Sequence, residues 1–369
     1  MNAVRSMMLL LAGTAISAPA AADVTLELIG RYATNEFDES AAEIPDYDPE
    51  TRRLFVVNGA TDGIDILDLS NPASPTKIGE MDLKPYGHAA NSVSVKNGLV
   101  AIAVATEDKT QPGKAVFYTV MGEPKGAVEL TAQPDMIKFT PDGNYVLTAN
   151  EGEMSEESAE NDPEGTIGLI DLTGGIDTLD QSDVTILDFK AYGMEAPAGA
   201  RIGVPGVSFA VDAEPEYIAV SGDSMTAWVA MQEQSAIAIV DIASKSLKDV
   251  VGMGYKDHSA EGNGLDASNR DGGINIQTWP VLGMYHPDSI YAYEVGGATY
   301  IVTANEGDSR DWDGFSEEER VKDLTLDPTV FPNAEELQMD ENLGRLKTTT
   351  SNGDTDGDGD FDEIYSYGA

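Results

Sequence analysis

The chain contains no cysteine in 369 residues, so it has no disulfide framework, thiolate nucleophile, iron–sulfur cluster or zinc–thiolate centre. Histidine is nearly as scarce, with only His88, His258 and His286. Positive charge is also short: 22 Lys and Arg face 65 Asp and Glu, a formal net charge of −43. A polyanion of this density repels phosphate backbones and anionic headgroups, which argues against nucleic-acid binding and electrostatic membrane docking. No stretch past the N-terminus reaches the roughly 18 apolar residues of a spanning helix, so no transmembrane segment is predicted. Cations are the natural partners, and those bound through oxygen remain open. A lysine-poor acidic surface also suits a salty habitat, which is the plainer account of the overall charge.

The N-terminus has the grammar of an export signal. Arg5 provides the positive start, Met7 to Ile16 the short apolar stretch, and Ala20-Ala21-Ala22 a small-residue cleavage site. Residues 1–22 are therefore expected to be a signal peptide. Residues 23–369 would be the mature domain, working in the periplasm, at the cell surface or outside the cell, where millimolar calcium is plausible.

The rest of the sequence is a succession of short β-branched strands and turns, without a long segment of helical period. The clearest unit runs from Pro134-Asp135 through Met136–Thr140, turns at Pro141-Asp142-Gly143-Asn144, continues as Tyr145–Asn150 and resumes at Thr166–Leu172. It recurs at Pro215-Glu216 and Pro287-Asp288, with weaker copies from Leu54 and Asn91, giving about five units. Strand units repeated at this spacing predict an all-β fold of β-propeller type, with an all-β sandwich as the alternative. Loop insertions interrupt the period near 154–165, 255–281 and 308–363. Within the last, Ser316–Arg320 and Asn333–Leu337 read as short helices, because serine or asparagine precedes an acidic first turn.

Position within the repeat suggests chemistry. An acid stands at the end of each second strand, Glu107, Glu151, Glu233 and Glu306, with Asn150, Gln232 and Asn305 before three of them. In an antiparallel hairpin that end lies beside the start of the first strand. The acids opening the units, Asp135, Glu216 and Asp288, should share the same face, and Asp308, Asp311 and Asp313 follow Glu306 closely. A closed ring would gather these side chains around one mouth of its axis. Like charges there need a cation, and calcium, with six to eight oxygen ligands, suits such a set. The alternative is that the acids cap exposed loop ends and never converge. The insertion from 255 to 281, rich in Gly, Asp and Asn, adds Asp257, Asn263, Asp266 and Asp271 as oxygen donors.

The most specific motif comes last: Asp354-Thr355-Asp356-Gly357-Asp358-Gly359-Asp360-Phe361-Asp362-Glu363. Acids at loop positions 1, 3, 5, 7 and 9 with glycine at 6 match a calcium loop. Position 12 is Tyr365 and no helix pattern flanks the loop, so it is read as a calcium loop outside the EF-hand type. Asp354, Asp356, Asp358 and Asp362 would be side-chain ligands, and Asp360 would serve by side chain or carbonyl. No nucleophile elbow, P-loop or dinucleotide fingerprint is present. His88 and His286 precede first strands on the acidic face, where a general-acid role or an ordinary loop role is open.

Pro134-Asp135-Met136, Phe139-Thr140-Pro141-Asp142-Gly143, Ala149-Asn150-Glu151-Gly152, Asp257-His258, Gly262 to Ser268, Ala304-Asn305-Glu306-Gly307-Asp308 and the loop from Asp354 to Glu363 together resemble the choice-of-anchor I proteins. These are exported bacterial propellers related to the mesenchyme-specific cell-surface glycoproteins of sea urchins. The resemblance implies a YVTN- or WD40-like propeller of about seven blades, of which about five are visible here, so the domain is expected to be incomplete at its C-terminus. It also implies a secreted or cell-surface setting with calcium or mineral association. Some bacterial relatives carry the label alkaline phosphatase. Two readings follow: a non-catalytic calcium-binding surface or matrix propeller, and a calcium-dependent phosphoesterase. In the second, ions at Glu151 and Glu306 would neutralise the phosphate of a phosphorylated small molecule, gripped by Arg310 or Arg270.

Overall fold

A computed structural model of the chain describes residues 25–155, 161–312 and 314–369. The proposed signal peptide, most of the acidic stretch after Met154, and Asp313 lie outside the described residues. Four antiparallel four-stranded sheets follow one another, each with its strands paired in chain order. Blade one is β1 (Pro45–Asp48), β2 (Arg53–Asn58), β3 (Gly63–Asp68) and β4 (Thr76–Met81). Blade two is β5 (Ala89–Lys96), β6 (Leu99–Ala105), β7 (Pro112–Thr119) and β8 (Pro124–Ala132). Blade three is β9 (Pro134–Phe139), β10 (Tyr145–Asn150), β11 (Thr166–Asp171) and β12 (Val184–Leu187). After the one-turn helix α1 (Phe209–Asp212), blade four is β13 (Pro215–Val220), β14 (Thr226–Met231), β15 (Ala236–Asp241) and β16 (Ser246–Gly252). Next come β17 (Tyr255–Asp257) and β18 (Leu282–Met284), and then the fifth repeat as a hairpin of β19 (Pro287–Val295) and β20 (Ala298–Asn305). The fold is a β-propeller, as the repeats predict.

The blades hold together face to face. Blades one and two share one apolar cluster, centred on Phe55, Ile64, Ile102 and Val116. Phe117, Ile137 and Ile170 join blades two and three, and Leu147, Leu169, Val229 and Phe209 join blades three and four. Each fully buried Val, Leu, Ile or Phe in these layers contributes about 1.5–3 kcal/mol. Because the second and third strands are covered on both sides, they read as near-continuous apolar runs, as in Leu99–Ala105 and Thr166–Asp171. The Pro141–Asn144 turn forms as expected: Asp142 accepts from the Thr140 hydroxyl at 2.6 Å and the Asn144 N–H at 3.0 Å, while Gly143 takes φ +77°.

The two long insertions form a single unit. Their remaining strands are β21 (Asp311–Trp312), β22 (Phe315–Ser316), β23 (Glu318–Arg320), β24 (Lys347–Thr349) and β25 (Tyr365–Tyr367). Strands β17, β18, β25, β24 and β23 make one sheet in that order, β18 and β25 running parallel. Trp279, Val321, Leu326, Phe331, Leu343 and Ile364 form its core. Of the two helices predicted here, Ala334–Leu337 is present as α2. Ser316–Arg320 instead forms strands, because the buried Glu317 carboxylate binds Arg201, Thr349 and the Arg310 N–H rather than capping a helix.

Candidate functional site

The acidic end of the ring begins from a backbone irregularity repeated in four blades. Pro134 pairs with Asn150 but Met136 with Ala149; Pro215 pairs with Met231 but Ile218 with Val229; Pro287 pairs with Asn305 but Ile290 with Thr303. Blade two does the same around Asn91. A bulge re-aims its extra residue, and the bulged segments carry Asn91, Asp135, Glu216 and Asp288. Several of the predicted acids lie near one another. Asp135 lies in the field of Asp288, Glu153 and Glu43; Glu151 in that of Asp135, Glu214, Glu153 and Glu233; Glu216 in that of Glu233, Glu151, Asp135 and Glu214.

Burial, and then these neighbouring carboxylates, push Asp135 up to about 7 and raise Glu151, Glu214 and Glu216 well above the usual carboxylate range. Arg310, 2 % exposed, supplies the opposing charge. Its Nη2 meets Glu214 Oε2 at 3.0 Å and donates to the Asp212 carbonyl, and its backbone N–H donates to Glu317 Oε1 at 3.2 Å. The acids more than offset the cost of burying this guanidinium and hold its pKa above the ordinary value. Arg201, equally buried, pairs with the other Glu317 oxygen. His286 is neutral: burial and then Arg201 lower its pKa to about 3, while Nδ1–H donates to the Asp308 carbonyl at 2.7 Å. The His286 Nε2 is buried without a hydrogen-bond partner, and His88 is exposed.

The register corrects two positions. Gln232, not Glu233, follows the residue opposite Pro215 and so corresponds to Glu151 and Glu306. With its NH2 toward Glu216 Oε2 at 3.0 Å, the Gln232 oxygen accepts the Asp308 N–H at 3.2 Å. Glu233 still joins the cluster from the next position, raised by burial and by Asp308. Glu107 does not join. The blade-two counterpart of Glu151 is Ala105, and Glu107 lies two residues beyond it, exposed, where the chain has turned away. Glu306 and Asp308 stand exposed at the rim, Asn150 is buried with its NH2 on Thr166, and Asn305 donates to the Ala369 carbonyl. Asp311 lies in the short β21–β22 hairpin.

Residues that sequence reasoning missed complete the mouth: Glu43, Gln133, Glu153, Arg201, Asp212, Glu214 and Glu317. A signal existed for two of them. Gln133 and Glu214 each precede the proline that opens a unit, as His286 does. The Gln133 amide bridges Glu151 and Glu153, and Glu153 also receives Lys109 at 2.8 Å and Trp312 Nε1–H at 3.2 Å.

The loop at 354–362 is a separate acidic centre. Asp354, Asp356 and Asp362 bring carboxylate oxygens within 4.8 Å of one another, as do Asp327, Asp360 and Asp362. Asp327, absent from the sequence motif, arrives through the parallel bridge of Leu326 with Phe361. Asp354 is preorganised by the N–H groups of Gly357 at 2.7 Å and Gly359 at 3.1 Å. Thr355 hydrogen bonds hold Asp362 below the usual range. Desolvation, then Asp358 and Asp327, push Asp360 up to about 6. Asp358 belongs to neither trio; it accepts the Asp360 N–H at 3.3 Å. Among the described residues no axial trio is this tight.

The choice-of-anchor I domain profile matches residues 43–369, nearly all of the described chain. The chain belongs to the choice-of-anchor I family. It is 36 % identical over 121 residues to the mesenchyme-specific cell surface glycoprotein of Strongylocentrotus purpuratus, which covers 32 % of this chain and 15 % of that protein. Similar solved structures include a hydrazine synthase of Kuenenia stuttgartiensis, at TM-score 0.40 and 15 % identity over 60 % of this chain and 52 % of that one. The Cps50 (Swd1) β-propeller domain of Myceliophteria thermophila matches at TM-score 0.39 and 12 % identity, over 60 % and 57 %.

Two sets of residues proposed for this choice-of-anchor I chain do other work. Asp257 accepts from Ser259 and Asn263 donates to the Asp257 carbonyl, which shapes a turn. Asp271 accepts only the Gly273 N–H at 3.3 Å, and Asp266 is exposed, so these four form no common centre. Arg310 is committed to acids and Arg270 is exposed on the insertion, so neither is placed to grip a phosphate at the axial face.

Arg310→Met should cost about 3–5 kcal/mol in urea unfolding, since it leaves buried carboxylates uncompensated; adding Glu214→Gln should recover part of the loss. The raised acids set a pH dependence. The folded state keeps protons that the unfolded chain releases, so with divalent ions chelated the melting temperature should fall as pH rises from about 4 to about 7. Asp135→Asn should flatten that fall.

Proposed function

We propose that this choice-of-anchor I chain is an exported, non-catalytic, calcium-binding β-propeller of the cell surface or extracellular matrix. The observation that carries the reading is the pair of aspartate trios sharing Asp362 in the 354–362 loop. All donors are oxygens, the loop is preorganised by its own N–H groups, and Asp360 is raised by its neighbours, so an added cation relieves a repulsion already present. The cell-surface setting is supported by the family and by the named glycoprotein relative, and export by the leader pattern at residues 1–22. Among the described residues no helix is long and apolar enough to cross a membrane. Calcium would tie the loop to Asp327 and so fasten two ends of the insertion unit whose core contains Leu326 and Ile364. A mineral surface is the extended partner that such a calcium-presenting face would suit.

Calcium at about 100 times its dissociation constant should stabilise the protein by about 2.7 kcal/mol, seen as a rise in melting temperature. Asp362→Asn, which breaks both trios at once, should remove most of that rise, while Asp358→Asn should leave most of it. Equal calcium responses in wild type and Asp362→Asn would refute the assignment.

A further inference from the structure

The axial mouth holds more negative charge than the described residues around it neutralise. Asp135, Glu151, Glu153, Glu214, Glu216, Glu233 and Asp288 face Arg310, already engaged by Asp212 and Glu214, and Lys109, engaged by Glu153 at the rim. Acid density alone would not define a site. The second observation is that Glu233, only 6 % exposed and facing Glu214 and Arg310, has its Oε2 buried with no N–H or hydroxyl donor, its carboxylate lying within hydrogen-bond reach of the Glu214 carboxylate. The Gln133 amide points the same way: its nitrogen bridges Glu151 and Glu153 while its oxygen is buried without a donor. Leaving two such acceptor oxygens unmet costs about 1–3 kcal/mol each, and among so many carboxylates a cation with its bound water meets them while also offsetting the charge.

We propose that the axial mouth is a second cation site, distinct from the 354–362 loop, in which Glu151, Glu216, Glu233 and the Gln133 side-chain amide oxygen hold a hard divalent ion that keeps part of its water shell. The retained water follows from geometry. Among the described residues no axial trio of carboxylates brings its oxygens within 4.8 Å, so water molecules would span the remaining distance. The four named donors are all oxygens, and the chain has no thiol, which favours calcium or magnesium over softer metals. The ion would also join blades three and four, which contribute Glu151 and Glu233, through charge as well as through their shared apolar layer.

The test uses the full chain carrying Asp354→Asn and Asp362→Asn, so the result does not depend on the loop. Titration calorimetry with calcium alone, and with magnesium alone, should show one ion still bound. Adding Glu216→Gln and Glu233→Gln should weaken that binding at least tenfold, whereas the same axial pair in a chain with an intact loop should leave the loop ions in place. Terbium gives an independent reading. Trp312 donates to Glu153 at the mouth, so Trp312→Phe should quench the tryptophan-sensitised emission that persists in the loop variant. Asp135→Asn alone, a milder change, should weaken calcium several-fold if the quadruple variant fails to fold. The proposal is overturned if the loop variant binds neither calcium nor magnesium, or if it binds them with unchanged affinity after the axial substitutions; the carboxylates would then be balanced by shared protons.

Discussion

Two buried arginines make the acidic end of this propeller possible. Arg310 and Arg201 are each 2 % exposed, and both reach the same buried carboxylate, Glu317, one through its backbone N–H and the other through its guanidinium. Around that shared acid, Arg310 also neutralises Glu214 and contacts Asp212, so one cationic residue touches the segments leading into blade four and the insertion unit. Gly203 lies between the two guanidinium groups, where a Cβ would come within 2.9 Å of Arg310 Nη1 and 3.1 Å of Arg201 Nη2. A side chain there would push the two cations off their acids. The packing of β13, the placement of β23 and the charge balance of the mouth therefore depend on the same few atoms.

That dependence explains why the insertion unit is attached where it is. Its sheet is fastened to the ring through Glu317, through Ser351 donating to the Gly203 carbonyl, and through Asn305 donating to Ala369. Burying an ion pair is rarely favourable in itself, but breaking one already buried is strongly unfavourable. The arginines therefore specify a position more than they add stability. Once Arg310 is inside, its partners have few other arrangements that avoid a bare buried charge.

The ring was legible because its strands are fully covered. Tyr145–Asn150 and Thr226–Met231 are apolar on both faces and flanked by Pro-acid or Pro-Asp-Gly signals that act locally. The outer strands were not legible: β4, with the sequence Thr-Lys-Ile-Gly-Glu-Met, alternates exposed and half-buried residues and looks like a loop. The acidic mouth could be read where position in the repeat sets orientation, as at Asp135 and Glu151. It failed at Glu107, where the strand ends two residues early, and it slipped by one residue at Gln232, because register is set by pairing rather than by the local motif. Arg201, Glu317 and Asp327 could not be found at all. Each reaches its partner across a long sequence separation, and nothing in its neighbours announces a role.

The chain's charge therefore separates into two kinds that composition cannot distinguish. Most of the 65 acids lie on the surface, where ions beyond about 8 Å are screened at physiological salt and the charge mainly keeps the protein soluble. The axial acids are crowded and desolvated, so salt screens them little and their repulsion must be met by Arg310, by protons or by a bound cation. The loop acids are exposed but preorganised, so their repulsion is weaker and their geometry better. A salty habitat would account for the first kind alone. The repeated bulge, which brings acids from three blades to one mouth, has no use in surface solvation, and it is this placement, rather than the net charge, that makes the axial carboxylates depend on whatever balances them.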